Sequence, residues 1–560
     1  MRSIATLTLV LVSCSLFNCS SDPEKGARAA NGTSAPGDGS ADAGSAEAQC
    51  AANGAQVGES RIRRLTPLQY RNTVRDLFAD PSLTVELHDD VDIIPSAIAV
   101  ERFATAAAGL GKRGVDLLAK IPACKTKDDA CATAFVDTFA ARAFRRPLRD
   151  DERTWLGGQL TAARAKFTFD ESIEVLTRMV LMSPQFLYLS NDGAPAPAGQ
   201  SQLRRLDDHA LASRLSYFLW NSMPDDELLA AAAAKRLSTD DREGLREQAE
   251  RMLASPRARQ MAHDFLREWF QLDGGTVHFG LDDAPKDATL YPSVNADLRA
   301  AMLREIGALM EKVAFDGGSV SDLFTDTSAY VNGPLATLYG VKDGPTSASD
   351  WRWVSLDAKQ RAGILTRAAF AAVYSSDKVQ SPIRRGTFVL RRILCYNQSP
   401  PPPNVDNRPV EDLEANGGPK TIRQATSIRT QGTTCQGCHS VIDPIGFAFE
   451  HYDAIGTWRD KELVSKLPID ASGMLAKAGS ADGPVADAVA MSASLGKSEV
   501  AAECMSKQWF KHAIRRDPQL ADECSFSTVK AAMGESSSMR DLLLAIVVSD
   551  AFLFSNAGAQ

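Results

Sequence analysis

The sequence predicts a mainly α, multi-module protein with a few short strands. Apolar residues recur at helical spacing, as in Leu211, Leu215, Phe218 and Leu219. Helix-start signals recur as well: Thr66-Pro67 with Gln69, Pro224-Asp225-Asp226-Glu227, and Ser381-Pro382. Strand signals are sparse, with Trp351 to Ser355 the main exception. The chain of 560 residues is longer than one core organises, so several domains are expected. A content of 44% hydrophobic and 24% charged residues is that of an ordinary globular protein. The net charge of −8, without a basic stripe, argues against a nucleic-acid partner.

The N-terminus reads as an export signal. Met1-Arg2-Ser3 is a short basic n-region, and Ile4 to Val12 is an apolar run too short to span a bilayer. Leu16-Phe17-Asn18-Cys19 resembles a lipoprotein cleavage box of suitable length, with Leu11-Val12-Ser13-Cys14 the alternative. Cys19, or else Cys14, is the expected lipidated residue, and an ordinary cleaved signal is the competing reading. Serine follows either cysteine, which by analogy with lipoprotein sorting favours the outer membrane, in the periplasm or at the cell surface. Residues 1–19 are the signal and 20–58 an Ala/Gly/Ser/Asp-rich flexible tether.

The folded elements follow in order. In the first helical module (59–123), Thr66 caps a helix with Pro67 at its first position and Gln69 closing a capping box. Leu65 and Tyr70 stand at the staple positions. The second module (124–200) carries a helical region over 132–144, stopped by Pro147, and Asp150 or Asp151 caps the next helix. The central module (201–345) has an amphipathic helix over 207–220. Asp225-Asp226-Glu227 opens the next, where acids meet the positive end of the helix, and further helices are expected over 241–253, 257–272 and 296–315. The fourth module (346–465) holds a helix over 383–394, then a polyproline arm, Pro400 to Pro403, read as a rigid connector. The C-terminal module (466–560) ends in two or three helices, and the apolar 542–554 reads as a buried terminal helix.

Cys435-Gln436-Gly437-Cys438-His439 carries the most chemistry. In C-x-x-C-H, two intervening residues let the sulfurs reach the vinyl carbons on one porphyrin edge, and the next residue sets an imidazole under the iron. The sequence therefore predicts one covalent haem c in a cytochrome c-like segment near the C-terminus. Cys435 and Cys438 are the thioether cysteines and His439 is the proximal ligand. A Cys435–Cys438 redox disulfide would leave His439 without a role. A zinc site would need two more ligands, and no second C-x-x-C or paired histidine stands nearby. In Asp443-Pro444-Ile445-Gly446, a carbonyl near Pro444 is the expected acceptor of the histidine Nδ1–H, and a simple turn is the competing reading. Trp458 and Arg459 read either as partners of haem propionates or as a core residue and a surface ion pair. Met474, in a downstream loop, is the expected distal ligand, and a thioether there would suit electron transfer. Met505, Met533, Met539 and His512 are helical and read as structural, and His451 lies close to His439 in sequence. An open sixth position would instead permit chemistry with peroxide or oxygen.

Six cysteines remain, an even count that suits an oxidising compartment: Cys50, Cys124, Cys131, Cys395, Cys504 and Cys524. Cys124 and Cys131 flank a short polar loop, Cys504 and Cys524 bracket a helix, and Cys50 with Cys395 is left by elimination. Asp225-Asp226-Glu227 reads as helix-start charges rather than a catalytic carboxylate cluster, and Arg145-Arg146 as a solvated or salt-bridged pair rather than an anion site. No nucleophile elbow, P-loop or HExxH is present.

Several segments in this order resemble one family. Arg63-Arg64-Leu65-Thr66 to Asp76-Leu77 and Arg142-Ala143-Phe144-Arg145-Arg146-Pro147-Leu148 look like its opening modules. Ser213 to Trp220 through Leu229, Val331-Asn332 and Tyr339-Gly340 look like its central module. Arg361-Ala362-Gly363-Ile364-Leu365, Ser381-Pro382, Arg385-Gly386 and the stretch from Cys435 to Arg459 look like the next, and Ser549-Asp550-Ala551-Phe552 like the last. The resemblance is to the large exported proteins of planctomycete cytochrome c type, built of domains of unknown function. Ile383-Arg384, where Val-Lys is usual, and the lack of a glycine within 510–516 depart from that pattern. The resemblance implies export and a single covalent haem, but no established substrate. The functional expectation is an envelope-tethered monohaem protein that transfers electrons to a redox partner or oxidises a substrate. The alternative is a non-enzymatic surface scaffold whose cysteines are structural.

Overall fold

Helices begin where the sequence supplies caps. After a two-residue strand β1 (Arg63–Arg64), Thr66 and Gln69 exchange side-chain and backbone hydrogen bonds at the start of α1 (Pro67–Phe78). The structure, a computed structural model, describes residues 55–87, 97–195, 203–237, 242–274, 278–399, 419–536 and 538–556. The signal with Cys14 and Cys19, most of the tether with Cys50, and the Pro400 to Pro403 arm lie outside the described residues. Helix makes up 58% and strand 8%, so the fold is mainly α.

The first two expected modules share one core. Tyr70, Val74 and Leu77 of α1 and Phe103 of α2 (Ala97–Leu117) pack with Phe135 of α3 (Asp129–Phe135), Leu156 of α4 (Asp150–Arg164) and Ile173 of α5 (Phe169–Met182). The boundary expected at 123/124 therefore runs through a single hydrophobic cluster. The helical region over 132–144 is present, with a π-helical turn at 136–140. Asp150 is the first residue of α4 rather than its cap; Arg149 takes that place, and Glu152 accepts from the Arg149 N–H at 3.0 Å. Arg145, at φ 62°, is buried and donates to the carbonyls of Ala143, Phe186, Gln185 and Tyr188. Only Arg146 forms the expected salt bridge, to Glu152. β1 pairs antiparallel with β2 (Tyr188–Leu189).

The central, fourth and C-terminal modules share a second, larger core. After β3 (Gly193–Pro195) and β4 (Leu203–Leu206), α6 (Asp208–Leu219) differs from its expected amphipathic form: residues 210–219 are all buried. The reason is its place between the cores. Leu211, Leu215 and Phe218 belong to the second cluster, while Tyr217 belongs to the first. Asp225 caps α7 (Asp226–Ala233) and also pairs with Arg251 of α8 (Arg242–Leu253), which accounts for that acidic run. α9 (Pro256–Trp269) and α10 (Ala296–Phe315) follow, the second with the expected limits. β5 (Ser328–Val331) pairs with β6 (Arg352–Ser355), the strand that Trp351 to Ser355 foreshadowed.

The C-terminal end returns to the central module. Residues 542–554 are not one helix: the helix Met539–Val547 ends within them, and Ser549 starts a separate short helix over Asp550–Leu553. The closing strand, Phe554–Asn556, pairs antiparallel with β4. Among the described residues, no helix is long and apolar enough to cross a membrane.

Two disulfides are described. Cys124–Cys131 closes the short loop as expected. Cys395 bonds Cys504, which overturns both the Cys504–Cys524 and the Cys50–Cys395 pairings. The tertiary contact of the fourth and C-terminal modules decides this, because it brings two cysteines 109 residues apart to a Cα separation of 5.4 Å. Closing a loop of that length contributes roughly 4–5 kcal/mol in the chain-entropy account. Cys524 is disulfide-bonded as well.

Candidate haem-attachment site

The C-x-x-C-H motif is helical. α11 (Pro382–Phe388) precedes it, and α12 (Ile422–Thr430), opened by a Thr421–Gln424 capping box, leads into α13 (Thr433–Phe447). On α13, Cys435, Cys438 and His439 stand at i, i+3 and i+4, which places them on one face. Both thiols are free; Cys435 is half-buried and Cys438 exposed. The His439 side chain keeps 21% of its surface exposed.

One turn further on, Asp443 takes the role expected of a backbone carbonyl. Its Oδ1 lies 2.8 Å from His439 Nδ1, and its Oδ2 accepts from Thr430 Oγ1 at 2.7 Å. Asp443 is buried, so the hydroxyl of α12 and the ring of α13 hold the carboxylate between them. A carboxylate accepting from Nδ1–H is the arrangement that orients a ligating imidazole and presents Nε2 to a metal. The i,i+4 spacing from His439 to Asp443 was visible in the sequence. Assigning the acceptor to a carbonyl near Pro444 hid it, whereas Pro444 lies inside the helix. These residues fit a covalently attached haem: two unpaired thiols and one oriented imidazole share a face. The group would supply redox chemistry at its iron. The chain's own part is to bind it, orient the ring and hold the Nδ1 proton.

α11 clamps α13 from the side opposite to solvent. A Cβ at Gly386 would collide with the Ile442 carbonyl, and one at Gly446 with the Pro382 carbonyl, so only glycine permits this approach. Arg385, fully buried, donates to the carbonyls of Phe449 (3.1 Å), Tyr452 (2.7 Å) and Asp453 (2.8 Å), just past the end of α13. It also reaches the Ala371 carbonyl and Ser375 Oγ.

The other expected site residues lie elsewhere. Met474 is in β7 (Gly473–Leu475), paired with β8 (Gly483–Val485), rather than in a loop. Gly473 faces the Pro444 carbonyl of α13, and Leu475 is buried. Strand alternation turns Met474 to the opposite face, where it is 46% exposed, away from the helix that carries His439. His451 lies beyond the remainder of α13, about 12 Å of helix from His439. Its Nδ1 donates to the Arg459 carbonyl at 2.7 Å and its ring stacks on Trp458. Arg459 pairs with buried Glu462 and donates to Gln380, so it is a half-buried ion-pair residue rather than a fully exposed one. Met505, Met533 and Met539 are buried in the core, where α14 (Glu499–Ile514), α15 (Glu523–Ser536) and α16 (Met539–Val547) meet. His512 pairs with Glu268. Among the described residues, no group of three or more His, Cys, Asp or Glu side chains is placed to hold a metal ion.

The sequence reading missed a buried carboxyl pair behind the motif. Gln380 Nε2 donates to Glu450 and to Glu462, and Glu462 also accepts from the Ile422 N–H at the start of α12. Burial first, and then the Glu462 charge, pushes Glu450 up to about 8, against the opposing pull of Arg459 and Arg385. Between about pH 5 and pH 8 the folded chain keeps a proton that the unfolded chain has lost, so this group makes stability fall as pH rises. Glu450→Gln is expected to flatten that fall and to raise the melting temperature relative to wild type at pH 8. Thermal denaturation across this pH range checks it, and an unchanged slope would count against the assignment.

With the site described, similarity to known proteins adds the family context. Four family models match: Protein of unknown function (DUF1595) over residues 131–191, DUF1592 over 206–341, DUF1588 over 361–462 and DUF1585 over 482–552. The chain is a multi-module assembly of domains of unknown function. The domains are of the planctomycete cytochrome c type, and the one over 361–462 spans Cys435, Cys438 and His439. No curated protein and no solved structure matches the chain.

Proposed function

We propose that this protein is an exported, envelope-tethered c-type cytochrome-like redox protein. It holds one covalent haem through Cys435 and Cys438, with His439 as the proximal ligand. It transfers electrons to a redox partner or oxidises a substrate bound by its larger helical part. The observation that carries this reading is the shared helical face of two free thiols and an imidazole whose Nδ1 is held by the Asp443 carboxylate. A scaffold whose cysteines served only as staples would not call for unpaired thiols beside an oriented histidine. A lipid anchor at Cys19, or Cys14, belongs to the same proposal.

The full chain, made with a c-type maturation system, is expected to give a pyridine haemochrome of thioether-linked haem that survives acid–acetone extraction. Cys435→Ser with Cys438→Ser is expected to lose it. Absence of covalent haem in the wild-type protein would reject the proposal.

A further inference from the structure

A second site has no residue in common with the haem motif. A cavity of about 940 Å³ opens between β1, α6, α9 and the end of α14, a volume suited to a small molecule. Arg63 of β1, Arg214 of α6, and Arg515 and Arg516 just past α14 line it. Arg515 meets Glu268 at 2.9 Å, and Arg516 meets Asp522 at 2.7 Å. Arg63 and Arg214 have no carboxylate partner among the described residues.

Arg214 is a strut: it donates to the carbonyls of Phe552 at 2.7 Å and Phe554 at 3.1 Å and to Asn191 Oδ1 at 3.2 Å. Arg63 is not. Its hydrogen bond among the described residues is a long one, 3.3 Å to the Ala513 carbonyl. The structural arginines of this protein, Arg145 and Arg385, each bind several acceptors instead. Burial, followed by the charges of Arg214, Arg515 and Arg516, holds Arg63 well below the usual arginine range. Arg146, hydrogen-bonded to the Glu152 carboxylate, is shifted upward instead. Seven arginines but five carboxylates line the cavity, so its wall carries more positive than negative groups.

Of these carboxylates, Asp264 is held by neutral partners rather than by an arginine. Asp264 accepts from Asn221 at 2.9 Å and from Gln260 at 3.2 Å, and burial pushes its carboxyl up. Asn221 accepts from Gln69 at 3.3 Å and donates to Asp264. Uncompensated guanidinium charge on a cavity wall is the arrangement that recognises carboxylate, phosphate or sulfate.

We propose that this cavity binds a small organic anion, with Arg63 engaging its carboxylate, phosphate or sulfate group. The site is independent of the haem reading, so the test can use the full chain with Cys435→Ser and Cys438→Ser as well as the wild type, and the two proposals fail separately.

Inorganic phosphate, sulfate and citrate serve as probes, against chloride at matched ionic strength, in calorimetric titration and thermal denaturation. At least one probe is expected to bind saturably and raise the melting temperature. Arg63→Gln is expected to weaken that binding at least tenfold while melting no lower than wild type without ligand, since it removes an uncompensated charge. Arg153→Gln, on the exposed face of α4, is expected to leave binding unchanged. The proposal is overturned if no probe exceeds chloride, if Arg63→Gln binds as wild type does, or if Arg63→Gln unfolds more readily without ligand, which would make Arg63 structural.

Discussion

Asp443→Asn is expected to raise the reduction potential of the proposed haem by about 60–120 mV. The carboxylate accepts the Nδ1–H of His439 and so increases the electron donation of Nε2. A more basic imidazole favours the oxidised iron. Loss of such a partner typically changes metal affinity about 10–100-fold, and each tenfold preference between redox states corresponds to about 59 mV for one electron. Asparagine keeps the shape and an oxygen acceptor but not the charge. Thr430→Val, which leaves Asp443 Oδ2 without its hydroxyl donor, is expected to move the potential less, because the carboxylate remains. Redox titration of the three proteins is the measurement. Equal potentials in wild type and Asp443→Asn would show that the carboxylate orients the ring without tuning it.

Arg385→Ala is expected to cost at least ~4 kcal/mol or to abolish folding of the fourth module. The guanidinium satisfies the carbonyls of Phe449, Tyr452, Asp453 and Ala371 and the Ser375 hydroxyl in a site with no solvent access. Buried acceptors left bare cost about 1–3 kcal/mol each before relaxation. Burial has already lowered Arg385 to about 10, yet its charge is retained at neutral pH. Arg385→Lys keeps a charge but not the planar fork, and it is expected to be intermediate. Chemical denaturation, with proteolysis mapped around 419–465, checks both variants. Wild-type stability in Arg385→Ala would show that water replaces the guanidinium at little cost. Since these carbonyls follow α13 directly, haem incorporation is expected to fall with stability.

Local signals were legible wherever the chemistry acts over a few residues. The Thr66–Gln69 box, the 296–315 helix and the Cys124–Cys131 loop closure all involve groups within one or two turns of each other. The C-x-x-C-H face is equally local, and helical periodicity alone brings Cys435, Cys438 and His439 together. Asp443 was within reach by the same rule, and was missed because the acceptor was assigned to a carbonyl near Pro444, although Pro444 continues the helix. α6 was misread for a different reason: its two flanking cores bury both of its faces, so its apolar stripe marked only one of them.

By itself the sequence determined the mainly helical composition and the spacing of two thiols and an imidazole, because these depend on periodicity and on residues three or four apart. Tertiary structure alone decided the partners that come from distant chain. Cys395 meets Cys504, Arg385 caps the segment beyond α13, Met474 turns outward, and Arg63 shares a cavity with Arg515 and Arg516. Side-chain type states what a residue is able to bind, but burial and long-range packing decide which groups stand within 3 Å of it and whether its charge is compensated.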